Sequence, residues 1–192
     1  ELIEQGTVAD LKIKILALKY PEEVAKQCKD LKFQDEIDFI VRNEKRNKFI
    51  TNLTKSLNGN TLVLFQYVEK HGKILFDKIQ HSLNSKRRVF FVFGGTDAET
   101  RESIREITER EKDAVIIASY GTFSTGINIR NLHNIIFASP SKSKIRNLQS
   151  IGRGLRKGNN KEVCTLYDIA DDLQYKKRIN YTLKHLQERV KI

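Results

Sequence analysis

The sequence predicts an α/β fold with a mainly parallel central sheet flanked by helices, and three observations carry that expectation. From residue 61 onward, short apolar runs recur, and the stretches between them carry apolar residues at helical spacing. Most of the runs are nearly continuously apolar, as in Thr61-Leu-Val-Leu-Phe65 and Val115-Ile-Ile-Ala118, the pattern of strands covered on both faces. Strand and helix alternate, which gives parallel pairing through right-handed crossovers. At 192 residues, 39% of them hydrophobic, the chain suits one domain with a substantial core.

The elements follow in order. Leu11-Lys-Ile-Lys-Ile15 alternates apolar and charged residues before Leu16 to Leu18, a strand expected to bury one face. Pro21-Glu-Glu opens a short helix ending near Leu31, with proline and acids in its first turn. Over 35–57, Ile37, Ile40 and Val41, then Phe49, Ile50, Leu53 and Leu57, fall at helical spacing. The charged run Arg42-Asn-Glu-Lys-Arg-Asn-Lys48 between them predicts a bend or two helices, with the run facing solvent. Asn58-Gly59-Asn60 is a turn. Strands are then expected at 61–67, 88–93, 114–119, 134–139 and 162–169, and helices at 69–83, 97–110, 143–156 and 173–190. Residues 1–58 form a lead-in strand and helices, and 59–192 form the core, within one domain spanning 1–192.

Composition narrows the partners. Lys and Arg number 35 against 24 Asp and Glu, a net charge of +11, which favours a polyanion such as nucleic acid over a merely solubilising surface. Cys28 and Cys164 lie far apart without Cys-x-x-Cys spacing, and His71, His81, His133 and His185 form no ligand pair, so neither a disulfide nor a metal site is expected. A reduced, cytoplasmic chain follows. No apolar run approaches the roughly 20 residues that cross a bilayer, and the start lacks a signal peptide's apolar stretch, so no membrane partner is expected. The chain starts at Glu1 and contains no methionine, which points to a piece of a longer polypeptide.

Ligands of doubly wound sheets bind outside the carboxyl ends of the strands, so the segments after Phe93, Ser119 and Ser139 are the places to look. After Phe93 comes Gly94-Gly95-Thr96-Asp97, with Thr96 as a candidate helix N-cap and Glu99 as its capping-box partner. That helix end either holds a phosphate or is simply capped. Ser119-Tyr-Gly-Thr-Phe-Ser-Thr-Gly-Ile-Asn128 reads as a loop rich in hydroxyls, suited to phosphate or ribose, although such residues also make ordinary loops.

The most telling stretch is Gln149-Ser-Ile-Gly152-Arg153-Gly-Leu-Arg156. On a helix, Gln149, Arg153 and Arg156 fall at i, i+4 and i+7, so one amide and two guanidinium groups share a face fit for polyphosphate. Two imitations fail beside it. No Gly-x-x-x-x-Gly-Lys-Ser/Thr occurs, since Gly72-Lys73 is followed by Ile74 within an expected helix. Asp35-Glu-Ile-Asp38 imitates an acidic magnesium-binding box but is expected to begin a helix rather than to end a buried strand. The chain thus has an arginine pair suited to charge on a transferring phosphoryl group, without a phosphate cradle or a metal carboxylate of its own.

These residues resemble the C-terminal domain of superfamily 2 helicases. Gln149-x-x-Gly152-Arg153-x-x-Arg156 resembles motif VI, Gly126-Ile-Asn128 motif V, and Thr61 to Phe65 motif IV. Gly95-Thr96 with Arg101 resembles the segment that follows motif IV. The four occur in the family's order, and the resemblance covers Leu11 to about Asp172, with the wording of 119–128 most similar to recombination helicases of bacteriophages. It implies a RecA-like three-layer fold. Arg153 and Arg156 would be arginine fingers on ATP, which would be bound with Mg mainly by an N-terminal RecA-like domain of the same polypeptide. Gly126, Asn128 and Gln149 would lie at the nucleotide. Thr96, Arg101, Ser119, Thr122 and Lys142 would lie along the nucleic acid.

Some assignments stay open at this level. Most relatives carry Asp where Asn128 stands. Either Ser119 or Tyr120 fills the family's Ser/Thr place, and Arg101 makes either a surface ion pair or a nucleic-acid contact. Lys86-Arg-Arg88 sits at the amino end of a strand, away from the ligand segments, and Lys176, Lys177 and Arg178 read as surface charges on the terminal helix. The implied partner is DNA, including branched DNA or an RNA–DNA hybrid, in recombination or repair in the cytoplasm, that of a bacterial host for a phage protein. The rival readings are a non-catalytic nucleic-acid-binding α/β module and a translocase that does not separate strands.

Overall fold

The computed structural model describes residues 10–126, 131–141 and 163–190. Among them, six strands form one parallel sheet: β1 (Asp10–Lys19), β2 (Thr61–Phe65), β3 (Val89–Val92), β4 (Val115–Ser119), β5 (Asn134–Phe137) and β6 (Val163–Asp172). Their spatial order is β1-β6-β5-β2-β4-β3. Thr61 of β2 is flanked by Val115 of β4 and Asn134 of β5, and the outer pair runs from Asp10 beside Val163 to Lys19 beside Asp172.

The apolar runs are explained by two cores, one on each face. Leu62, Leu64, Ile116, Ala118, Ile135 and Phe137 point to one side, where Ile104 and Tyr120 meet them. Val63, Phe65, Val115, Ile117 and Ile136 point to the other, where Ile50, Leu75, Ile79 and Leu83 cover them. Helices α3 (Glu44–Ser56) and α4 (Lys73–Leu83) therefore lie on one face, and α5 (Ala98–Arg110) and α6 (Tyr120–Gly126) on the other. The remaining helices are α1 (Glu22–Gln27), α2 (Phe33–Arg42) and α7 (Tyr181–Val190). No helix among the described residues is long and apolar enough to cross a membrane.

The interrupted helix of 35–57 is two helices. Asn43 ends α2 in an extended conformation, and its side chain accepts from the backbone N–H of Arg46 at 2.9 Å to start α3. The charged run does not simply face solvent, because Arg46 is 2% exposed. The Asp35-Glu-Ile-Asp38 box lies in the first half of α2, as expected. Its Glu36 is fully buried and accepts from the backbone N–H groups of Tyr181 (3.1 Å) and Thr182 (2.8 Å), closing the start of α7.

Four other expectations are corrected. The terminal helix starts at Tyr181 rather than Leu173, since Tyr175 and Arg178 pair across a tight turn and Asn180 takes the backbone N–H of Leu173. Lys176, Lys177 and Arg178 thus precede the helix, and Arg178 reaches the Leu31 carbonyl and lies 3.8 Å from Glu36. The first strand does not bury one clean face: β1 is an edge strand whose Ile13 and Ile15 are 49% and 43% exposed. The segment after Ser119 is helix α6 rather than a loop.

The helix before β3 begins as a π-helical turn over Val68–Gly72, with the Gly72 N–H bonded to the Tyr67 carbonyl at 2.8 Å. Gly72 is required there: a Cβ would come within 2.6 Å of the Phe65 ring.

The amino edge of the sheet is tied by Asn60 and Arg87. Asn60 is fully buried, donates to the carbonyls of Thr108, Glu111 and Asn131, and accepts from the Ala114 N–H at 2.8 Å. Arg87 donates to the carbonyls of Thr54, Leu57, Gly59 and Asp113. The basic triplet 86–88 therefore lies opposite the ligand segments, and its middle residue is structural. Gly59 adopts φ +93° in this turn, a conformation that side-chain-bearing residues rarely take.

Candidate functional site

The sheet's topology locates the crevice. The helix after β2, α4, leaves to one face, whereas the helix after the adjacent strand β4, α6, leaves to the other. Adjacent connections of opposite sense open a cleft outside the carboxyl ends of the two strands. Phe65 and Ser119 are register partners at those ends, so Ser119 stands at the switch point. The neighbouring strand β3 ends at Val92 and leads through Thr96 into α5, placing Thr96 and Arg101 on the same edge of the sheet.

Local bonding sets what these side chains can offer. Ser119 is half-buried; its Oγ accepts from the Thr122 N–H at 3.2 Å and bonds the Thr122 hydroxyl at 2.6 Å, which starts α6. Thr122 is 3% exposed and Tyr120 only 2%, with the Tyr120 hydroxyl donating to the Ser139 carbonyl at 2.8 Å. Of Ser119 and Tyr120, the serine is the more exposed. Thr96 accepts from the Phe93 N–H at 3.1 Å through its hydroxyl oxygen, leaving its proton to donate elsewhere.

Thr96 is not the N-cap of α5. Asp97 is, accepting from the Thr100 N–H at 2.8 Å and the Thr100 hydroxyl at 2.9 Å. The backbone N–H of Thr100, and then its hydroxyl, hold the Asp97 carboxyl below its usual range. Of the two alternatives for this helix end, a held phosphate or a simple cap, the structure shows the cap, a carboxylate. Arg101, half-exposed in the first turn of α5, pairs with no carboxylate among the described residues. Gly126 ends α6. Asn128, Lys142, Gln149, Arg153 and Arg156 lie outside the described residues.

At the carboxyl ends of β1, β5 and β6 lies a buried polar group that sequence reasoning missed. The Arg46 guanidinium clasps Asp171 through Nε (2.8 Å) and an Nη (3.1 Å), and its other Nη donates to the Ala138 carbonyl at 2.6 Å. The Tyr20 hydroxyl adds a 2.7 Å bond to Asp171, and burial followed by that carboxylate's charge pushes the phenol pKa up. Burial opposes the Arg46 charge, but Asp171 and Tyr20 outweigh it and keep the guanidinium protonated. His71, fully buried, bonds Ser139 Oγ through Nδ1 and Asn47 Oδ1 through Nε2. Burial first, then the nearby Arg46 charge, depress its pKa well below 6.5, so the ring is neutral.

The donor set along the carboxyl edge, hydroxyls and a guanidinium, fits an anionic ligand. Among the described residues no group of three or more His, Cys, Asp and Glu side chains could hold a metal ion.

A family model for the helicase conserved C-terminal domain matches residues 44–158. The chain belongs to that family. This helicase C-terminal domain is 39% identical to the ATP-dependent DNA helicase UvsW of enterobacteria phage T4, over 99% of its own length and 40% of that protein's. It superposes on the crystal structure of T4 UvsW with a TM-score of 0.82, covering 96% of this chain and 39% of that one. The superfamily 2 resemblance and the RecA-like fold both stand on these matches. More distant structures share the fold: the restriction-modification enzyme LlaBIII bound to DNA has TM-score 0.60 at 16% identity, covering 98% of this chain and 14% of that one. Dbp5 of S. cerevisiae, bound to RNA and ADP BeF3, has TM-score 0.59 at 12% identity, covering 97% and 39%. The chain spans about 40% of the length of the UvsW protein it matches.

Proposed function

We propose that this helicase C-terminal domain is the second motor domain of an ATP-dependent DNA helicase or translocase, acting in recombination or repair and on DNA that includes branched DNA or an RNA–DNA hybrid. The observation that carries the reading is the switch-point crevice, with Ser119 at its mouth and Thr96 and Arg101 beside it, in a chain 39% identical to a DNA helicase. The whole chain, 1–192, acts as one such domain, with 1–58 as its lead-in.

In this reading, Ser119, Thr96, Arg101 and Lys142 hold backbone phosphates of the strand. Thr122 acts through Ser119, whose hydroxyl it orients. These contacts carry no base specificity, because they meet phosphate and sugar rather than base edges. Gly126, Asn128 and Gln149 lie at the nucleotide, and Arg153 and Arg156 are the arginine fingers.

ATP, with Mg, is held mainly by an N-terminal RecA-like domain of the same polypeptide and supplies the phosphoryl group. The guanidinium groups of this domain meet the developing charge only when the cleft closes, which couples hydrolysis to domain movement.

The test uses both the isolated chain and the full-length protein. The isolated chain is expected to show no DNA-stimulated ATP hydrolysis, and robust turnover by a clean preparation would sink the proposal. In the full-length protein, Arg153→Ala or Arg156→Ala is expected to lower kcat by roughly 10² or more with nucleotide binding retained. Unchanged turnover in both variants removes the finger assignment, and a full-length protein without ATP hydrolysis favours a non-catalytic binding module. Strand-displacement assays separate a helicase from a translocase that leaves strands paired.

A further inference from the structure

At the carboxyl end of β5, three successive main-chain and side-chain groups are each held by a side chain or backbone group from another element. The Ala138 carbonyl accepts from Arg46 of α3, the Ser139 carbonyl accepts from Tyr120 of α6, and Ser139 Oγ accepts from the backbone N–H of Gln66 at the end of β2. The fourth partner is His71, from the π-helical turn.

Proton directions in this cluster resolve into a single chain. Asn47 uses its Nδ2 to donate to the Val41 carbonyl at 3.0 Å, so its Oδ1 must be the acceptor facing His71. The proton of the neutral ring therefore sits on Nε2, and Nδ1 accepts from the Ser139 hydroxyl. Ser139 Oγ in turn accepts from Gln66 at 3.1 Å. The relay runs from the Gln66 N–H through Ser139 and His71 to Asn47 and Val41, with each donor matched to an acceptor.

Such an arrangement is a poor way to gain stability alone, since apolar residues of similar volume fill a core at least as well. What a fully satisfied buried polar network gives is one fixed geometry. The relay joins the side chain of Ser139, just past β5, to the backbone N–H of Gln66, just past β2, and Tyr120, which follows β4, adds a bond of its own to the Ser139 carbonyl. Those are the strand ends that frame the switch-point crevice.

We propose that His71 is a positioning residue of the motor: through Ser139 it holds the carboxyl ends of β2, β4 and β5 in the arrangement from which the crevice acts. The inference rests on the motor reading above. In the full-length protein, His71→Ala and Ser139→Ala are each expected to lower the kcat of DNA-stimulated ATP hydrolysis at least ten-fold, with the KM for ATP within two-fold of the parent. The double variant is expected to be no slower than the slower single one, and His71→Gln, which keeps one donor and one acceptor, recovers part of the rate.

Thermal unfolding followed in parallel separates positioning from mere folding. Losses of turnover that match the loss of folded protein at the assay temperature, losses that multiply in the double variant, or a kcat within two-fold of the parent overturn the proposal. If the full-length parent shows no DNA-stimulated ATP hydrolysis, the motor reading itself has failed; Arg153→Ala serves as the reference arm for the finger assignment. If that variant is inactive while Ser139→Ala is normal, only the positioning role has failed.

Discussion

Arg46 and Asp171 are each about 1% exposed at the side chain, yet both are charged, so the pair stands or falls together. Removing one partner leaves the other ionised and buried, which costs about 3–5 kcal/mol, whereas replacing both with apolar residues of similar volume is near neutral. Asp171→Ala is therefore expected to lower the unfolding free energy by about that amount in urea titrations, and Arg46→Met with Asp171→Leu to recover most of it. If the single variant lost less than about 1 kcal/mol, the clasp would contribute little.

His71 gives a pH dependence whose sign follows from its depressed pKa. In the unfolded chain the ring takes up a proton near pH 6.5, while in the fold it stays neutral to much lower pH. The unfolded state thus binds more protons below that value, so stability is complete above about pH 6.5 and falls as the pH drops, by up to about 1.4 kcal/mol per unit. His71→Gln is expected to remove that slope, read from urea midpoints between pH 7.5 and 5.

At the scale of elements, legibility in the sequence followed the strength of apolar periodicity. β2 and β4 were plain because all five residues of Thr61–Phe65 are buried, as are the first four of β4, and the two helices of 35–57 were signalled by two apolar groups with a charged break. α6 was hidden because its Ser, Thr and Gly residues have weak helix propensity, and Ser119 with Tyr120, whose hydroxyl ties the helix to Ser139, sets it in place. The start of α7 was hidden because its first N–H groups are satisfied by Glu36, distant in sequence, rather than by a local cap. The places of Ser119 and Thr96 at the carboxyl edge were legible from the strand ends. Arg46 was not, because a residue inside a charged run carries no mark of its distant partner. The turn before β2 shows the same logic in a testable form: Asn60 bonds four backbone groups from three segments, whereas the side chain of its neighbour Asn58 is exposed. Asn60→Ala should therefore destabilise by roughly 2–4 kcal/mol, since it strands buried donors and acceptors. Asn58→Ala should stay within about 0.5 kcal/mol, as ordinary surface substitutions do, and equal midpoints for the two in thermal unfolding would contradict the clamp.

Over the whole molecule, the net charge of +11 says that the chain attracts polyanions but not where. The parallel sheet supplies the direction, because its carboxyl edge holds Ser119, Thr96 and Arg101 while at its amino edge Arg87 and Arg88 are engaged within the chain. Arg87 is spent on four carbonyls, and Arg88 lies 3.3 Å from Glu111. A cation that neutralises a phosphate displaces condensed counterions, so the logarithm of the DNA association constant falls with the logarithm of salt by about 0.7 per contact on single strands and about 0.9 on duplex. A cation at the other edge contributes only to the general field, which salt screens within about 10 Å at 0.1 M. In the full-length protein, Arg101→Gln is thus expected to weaken binding to DNA of any sequence and to reduce the salt slope by about one contact's worth, 0.7 to 0.9. Arg88→Gln removes the same formal charge and should leave the slope unchanged. Titrations of both variants between 50 and 200 mM salt, on one single-stranded and one duplex oligonucleotide, decide the matter: equal slopes for the two would mean that the carboxyl edge is not the face that holds the strand.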